Sequence, residues 1–183
     1  MVLILGIDPG TAIMGYGLVE SGASDSANAR DALGALRPGS ERLKMVEYGA
    51  LLTPANAPLS ERLPLLYDGL VKIITEYKPQ GMAIEELFFS KNVRTGLSVA
   101  HARGVAILAG SHSGLSIGEY TPLQVKQAVV GYGKATKEQV QVMVKVLLNM
   151  DHTPRPDDAA DALAIAICHI HSRAYEDMLT RGQ

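Results

Sequence analysis

The chain has one cysteine, Cys168, so no intramolecular disulfide framework can support it. A lone thiol fits a reducing cytosol, and a cytoplasmic location is expected. No stretch approaches the roughly 20 consecutive apolar residues of a membrane span. The apolar start, Met1 to Gly6, is short, has no basic leader region and runs directly into Asp8. It reads as a first strand and not as a signal peptide. No internal repeat is visible, and no linker divides the chain. Phenylalanine is confined to Phe88 and Phe89. Excess charge is also missing: 17 Lys and Arg stand against 19 Asp and Glu, and a net charge of −2 argues on its own against a polyanionic partner.

What is present modifies that last exclusion. Between residues 87 and 150 lie Lys91, Arg94, Arg103, Lys126, Lys134, Lys137 and Lys145, against only Glu119 and Glu138. A basic region inside an acidic whole suits a protein that holds a polyanion with one part of its surface. The length of 183 residues, 47% hydrophobic and 20% charged, is enough for one globular domain with a substantial core. We expect that domain over residues 1–172, with a tail at 173–183.

Apolar runs punctuated by turn residues predict strands at Val2–Asp8, at 15–20 and at 43–52, an opening meander. The intervening residues 21–41 are rich in Ala, Ser, Gly, Asp and Arg, too poor in large apolar side chains to order themselves, and read as a mobile loop insertion. Leu63, Leu66, Leu70, Ile73, Ile74 and Tyr77 recur at helical spacing and predict a helix over 60–77. Pro64 is acceptable there only near the first turn. A strand at 82–87 follows, then a long helix at 92–111 whose small residues permit close packing by a partner helix. A strand at 116–120 comes next. Thr121-Pro122 opens a helix to about 130, and Thr136 with Gln139 makes a capping box for a helix to 150. The final helix spans 157–172. Leading strands followed by alternating helix and strand imply an α/β fold, a mixed five-stranded sheet flanked by helices on both faces.

Three acidic groups interrupt otherwise apolar segments. Asp8 ends the first strand, Glu85 and Glu86 break the fourth, and Asp157, Asp158 and Asp161 open the last helix. On a helix, positions i and i+3 project from one face, so Asp158 and Asp161 can converge. On a strand, neighbours alternate, so only one of Glu85 and Glu86 can share a face with Asp8. Ordinary explanations exist for some of them. An aspartate before Pro9-Gly10 can be a turn former, and aspartates in a first helical turn complement the macrodipole. Asp161 and the Glu-Glu pair fit those explanations least. Carboxylates gathered at one point repel unless protonated or bridged by cations, and Mg²⁺ is the natural bridge. The five histidines, His101, His112, His152, His169 and His171, show no metal-ligand spacing.

In order along the chain, Gly6-Ile7-Asp8-Pro9-Gly10 with Gly15-Tyr16-Gly17, then Ala83-Ile84-Glu85, then Asp158-Ala159-Ala160-Asp161-Ala162-Leu163-Ala164 resemble the acidic motifs of the RuvC family, the bacterial crossover (Holliday) junction endodeoxyribonucleases. Gln124 through Gly131 and Lys137 through Val144 are similar to that family's basic C-terminal half. The likeness runs from Met1 to about His171.

The resemblance implies an RNase H-like fold and a homodimer that nicks two opposed strands of four-way junction DNA in recombination and repair. It also implies contact with a branch-migration helicase complex, RuvA and RuvB. Asp8, Glu85, Asp158 and Asp161 would form the catalytic, metal-holding set. Two Mg²⁺ ions about 4 Å apart, with Mn²⁺ able to substitute, would activate water and relieve charge on the leaving 3′-oxygen, leaving 5′-phosphate and 3′-hydroxyl ends. Phe88 falls on the family's aromatic at the junction centre and could wedge into a base step. Lys91, Asn92, Arg94, Lys126, Lys134 and Lys137 are the expected DNA-binding residues, and phosphate contacts of this kind make binding salt-dependent. The chain departs from the family pattern in the longer 21–41 segment and in Asp157, an added carboxylate beside Asp158. An actin-like ATPase could also carry Gly6–Gly10 as a phosphate loop, but that class needs a second such loop and a much larger chain.

Overall fold

The computed structural model describes residues 1–22, 42–87 and 93–181, the side chains of 93–95 and 174–181 excepted. Five strands form one sheet in the order β3-β2-β1-β4-β5. They are β1 (Val2–Asp8), β2 (Ile13–Gly22), β3 (Arg42–Leu52), β4 (Gly81–Glu85) and β5 (Ser116–Tyr120). β1, β2 and β3 are antiparallel neighbours, whereas β4 and β5 run parallel to β1. The helices are α1 (Leu59–Tyr77), α2 (Val93–His112), α3 (Pro122–Val130), α4 (Lys137–Leu147) and α5 (Asp157–Arg181).

Strand alternation decides which side chain meets which helix layer. Leu5 and Ile7 of β1 with Met82 and Ile84 of β4 pack in one core beside Leu66 and Leu70 of α1 and Ala102 and Ala106 of α2. Ile4 and Ala83 point the other way, into a second core with α3, α4 and α5. Both faces are therefore covered, as expected. α5 is apolar on every side from Ala159 to Ala166, and that whole stretch is buried apart from Asp161. A helix of this kind belongs inside a structure.

α5 lies directly on the backbone of β1 and β2. A Cβ added to Gly6 would stand 2.0 Å from the Ala162 carbonyl oxygen, and one added to Gly15 would stand 2.0 Å from that of Asp158. These glycines are required for a close approach of helix to sheet. No phosphate need be invoked for them.

The element ends differ from the sequence reading in several places. β2 continues through Ser21 to Gly22, because the ladder with β3 pairs Gly22 with Arg42. The rest of the segment expected to be a mobile loop, 23–41, lies outside the described residues. α1 starts at Leu59, which places Pro64 in the second turn; burial of Leu66, Leu70, Ile73 and Ile74 holds the helix through it. α4 stops at Leu147, three residues early, before Asn149 in the left-handed conformation. α5 runs to Arg181, so most of the segment read as a tail is helix. Both capping boxes form: Thr121 with Gln124, and Thr136 with Gln139. On α2, Ala102 and Ala106 are buried within the chain, whereas Leu97, His101, Gly104 and Leu108 form an outward stripe. Among the described residues, no helix is long and apolar enough to cross a membrane.

Candidate active site

β1 and β4 are adjacent central strands, paired in register up to Ile7 and Ile84. One residue further stand Asp8 and Glu85. By alternation both fall on the face of Ile4 and Ala83, the face covered by α5, while Glu86 follows beyond the end of β4. Register thus puts Glu85 beside Asp8, and Glu85 rather than Glu86 lines the cleft on the α5 side. Glu86 lines a separate cavity of about 280 Å³ with Pro9, Leu87 and Val99, a cavity whose wall Asp8 and Glu85 also share.

On the α5 side, Asp8, Glu85 and Asp161 line a cleft of about 250 Å³ together with Lys126 and Lys137. Val125, Val140 and Ala164 supply its apolar wall. Asp158 is not on that wall, but its charge reaches both Asp8 and Asp161. Asp157 is directed elsewhere: Arg155 Nη1 donates to it at 2.5 Å, and the Lys137 ammonium lies 3.7 Å away. A hydrogen bond with Gln141 and these cations hold its carboxyl below the usual range.

The cleft concentrates negative charge. Burial, then the charges of Asp161, Glu85 and Asp158, push the Asp8 pKa up to about 7. Burial and Asp161 push Glu85 up to about 7, against the pull of Lys126 and Lys137. Asp161 is also raised, chiefly by burial, although Lys137 opposes the shift by hydrogen bonding and charge. Lys137 Nζ sits 2.8 Å from Asp161 Oδ2. Burial alone lowers the pKa of Lys137, but Asp161, Asp157 and Asp8 outweigh it and hold the ammonium charged above its ordinary range.

The donor set fits a hard divalent cation: carboxylate oxygens in a partly enclosed cleft, two of them raised to about 7 by burial and by the charge of neighbouring carboxylates. Among the described residues, no three His, Cys, Asp or Glu side chains are drawn together closely enough to hold one ion. The Lys137 ammonium occupies part of that role, paired with Asp161.

Of the expected DNA-binding residues, Lys126 and Lys137 line the cleft and Lys134 is exposed nearby in sequence. Phe88, Lys91 and Asn92 lie outside the described residues, as does the side chain of Arg94. Arg103, counted in the sequence only as one more basic charge, instead forms an ion pair with Glu119 and donates to the Glu85 carbonyl. Its helical position beside an acidic strand carried no signal of that role. His169 is a core residue: its Nδ1 lies 2.9 Å from the Tyr120 hydroxyl, and burial holds its pKa down at about 4.

A mixed five-stranded sheet of this order, with carboxylates at the ends of its two central strands facing a helix that carries more, defines an RNase H-like nuclease. Residues 25–169 match the family model of the crossover junction endodeoxyribonuclease RuvC, and the chain belongs to that family. It is accordingly an endonuclease that hydrolyses phosphodiester bonds in DNA to resolve Holliday junctions, in a family whose members depend on metal. The enzyme of that name from Desulforamulus reducens is 54% identical over 168 residues, covering 92% of this chain and 93% of its own. That from Alkaliphilus oremlandii is 50% identical, covering 97% and 98%. The structure of Thermus thermophilus RuvC in complex with a Holliday junction substrate superposes with a TM-score of 0.82 at 30% identity, covering 96% and 97%.

Proposed function

We propose that Asp8, Glu85, Asp158 and Asp161 hold two Mg²⁺ ions, with Mn²⁺ as a substitute, and that the enzyme makes paired symmetrical nicks in four-way junction DNA. The observation that carries this reading is the pair of carboxylates, Asp8 and Glu85, both raised to about 7 in a cleft shared with Asp161 and two lysines. When bound, such ions supply an activated water and charge relief on the leaving 3′-oxygen. Asp8 feels the charges of all three other carboxylates, which makes it the central holder. Lys137 balances Asp161 in the absence of metal, and a cation held by that carboxylate would free the ammonium to turn to the scissile phosphate. Lys126, on the same wall, holds the strand by its phosphates. Phe88, directly after the acidic strand in sequence, wedges the junction open.

The test is a synthetic four-way junction labelled on each strand, incubated with Mg²⁺, Mn²⁺ or EDTA beside an RNA–DNA hybrid. We expect metal-dependent nicks at symmetrical positions, sealable by ligase, with the hybrid intact and Phe88→Ala slowed. Cutting in EDTA, or preference for the hybrid, would contradict the assignment.

Symmetrical nicking by one site per chain needs a two-fold dimer. The outward stripe of α2 supports that part of the reading, because Leu97 and Leu108 remain 50% and 46% exposed on either side of Gly104. A charge placed there would be desolvated without a partner on association. Sedimentation equilibrium at micromolar concentration should give a dimer for the native chain and a monomer for Leu97→Glu with Leu108→Glu. A native monomer would count against the dimer.

A further inference from the structure

We propose that Arg103 is a positioning residue for Glu85, fixing the end of β4 so that the carboxylate stays in the cleft. This rests on the reading of Glu85 as a metal-holding residue. Glu85 is the last residue of a five-residue strand. It pairs with Tyr120 of β5, but the register with β1 ends one residue earlier, at Ile7 and Ile84. The main chain at Glu85 is therefore supported by a ladder on one side only. The Arg103 Nε of α2 donates to the Glu85 carbonyl oxygen at 3.1 Å, and the same guanidinium pairs with the Glu119 carboxylate of β5. One residue on, the Glu86 N–H donates to the Tyr120 carbonyl at 2.8 Å. The peptide that carries the Glu85 side chain is thus pinned on both sides, by α2 and by β5.

Such pinning matters because Asp161 repels Glu85 across the cleft, and an unanchored strand end would let the carboxylate turn away toward solvent. Arginine suits the task better than lysine. Its planar fork presents Nε and Nη donors in fixed directions, so one side chain satisfies acceptors on two strands at once. The Arg103 side chain is only 20% exposed, which limits competition from water. Arg103 contacts the main-chain carbonyl of Glu85 and not its carboxylate, so it acts by geometry.

The test measures metal binding without turnover. Ca²⁺ is titrated against the melting temperature of the full-length native protein and of Arg103→Ala, Arg103→Lys and Glu119→Gln. Junction binding in EDTA and single-turnover nicking in Mn²⁺ are measured in parallel. Loss of a residue that orients a metal ligand typically weakens metal affinity or activity about 10–100-fold. We expect the half-maximal Ca²⁺ concentration to rise by about that factor in Arg103→Ala and Arg103→Lys. A smaller rise is expected in Glu119→Gln, which keeps the Nε donor, and junction affinity in EDTA should stay within about twofold in all three. Should Arg103→Ala not fold, Arg103→Lys decides. A variant that melts lower but responds to Ca²⁺ as the native protein does would reduce Arg103 to a strand clamp and overturn the inference. If the native protein shows no Ca²⁺-dependent shift that Asp8→Asn abolishes, the metal-site reading fails instead, and the inference falls with it.

Discussion

Asp8→Asn should abolish junction nicking, leave junction binding in EDTA nearly unchanged, and make the metal-free protein more stable at pH 8. Asparagine is an equally good turn former before Pro9-Gly10, so a merely structural Asp8 would tolerate the change. A residue central to the metal set would not. We expect a rate loss above about 10³-fold, beyond the effect of deleting a single electrostatic contact to a transition state. Binding should survive because the basic residues carry it. The stability gain follows from the raised pKa of about 7 in the folded chain against an ordinary value of 3.8. Between those values the folded state holds a proton that the unfolded state has lost, so stability falls as pH rises through this window. Well above pH 7 the full penalty is present, on the order of 4 kcal/mol, and asparagine removes it. Below pH 4 the two proteins should melt alike. Thermal unfolding in EDTA at pH 4 and pH 8, set beside a nicking assay, checks all three parts. An Asp8→Asn protein that nicks at the native rate, or is destabilised at pH 8, would contradict the assignment.

Gly15→Ala should cost more than its single methyl group suggests. That methyl would stand 2.0 Å from the Asp158 carbonyl oxygen and 3.0 Å from the Ala159 nitrogen, both main-chain atoms of α5. Main chain cannot rotate aside, so the helix must lift from the sheet. Overpacking typically costs about 1–3 kcal/mol, and a clash with backbone belongs at or above the top of that range. The start of α5 carries Asp158 and Asp161, so the displacement also moves two carboxylates relative to Asp8. A misplacement near 1 Å lowers rates by about 10²-fold. The expected result is a lower melting temperature together with a nicking defect of about that size, which excess Mn²⁺ does not rescue. Native-like activity would show that α5 need not lie so close.

The glycine also shows what the sequence could and could not disclose. Gly6, Gly15 and Gly17 were legible as a motif but not as a contact, because their reason is a helix at the far end of the chain, α5. The strands and the amphipathic α1 were legible because periodicity is local. Asp8, Glu85 and Asp161 were legible because each is an acid in an apolar segment. Alternation alone left Glu85 and Glu86 open and only the family resemblance named Glu85; its place beside Asp8 depends on the register with β1, a long-range fact. Asp157 and Asp158 are adjacent in sequence, yet the first is directed to Arg155, Gln141 and Lys137 while the second abuts Gly15. Arg103 was invisible as anything but charge, since its partners sit 18 and 16 residues away on different strands.

The most direct measurement of the central claim is anomalous scattering from crystals of the native protein grown with Mn²⁺. The account predicts anomalous density in the cleft between Asp8, Glu85 and Asp161, with the Lys137 ammonium displaced from Asp161. A cleft without such density at saturating Mn²⁺, with the Lys137–Asp161 pair intact, would contradict it.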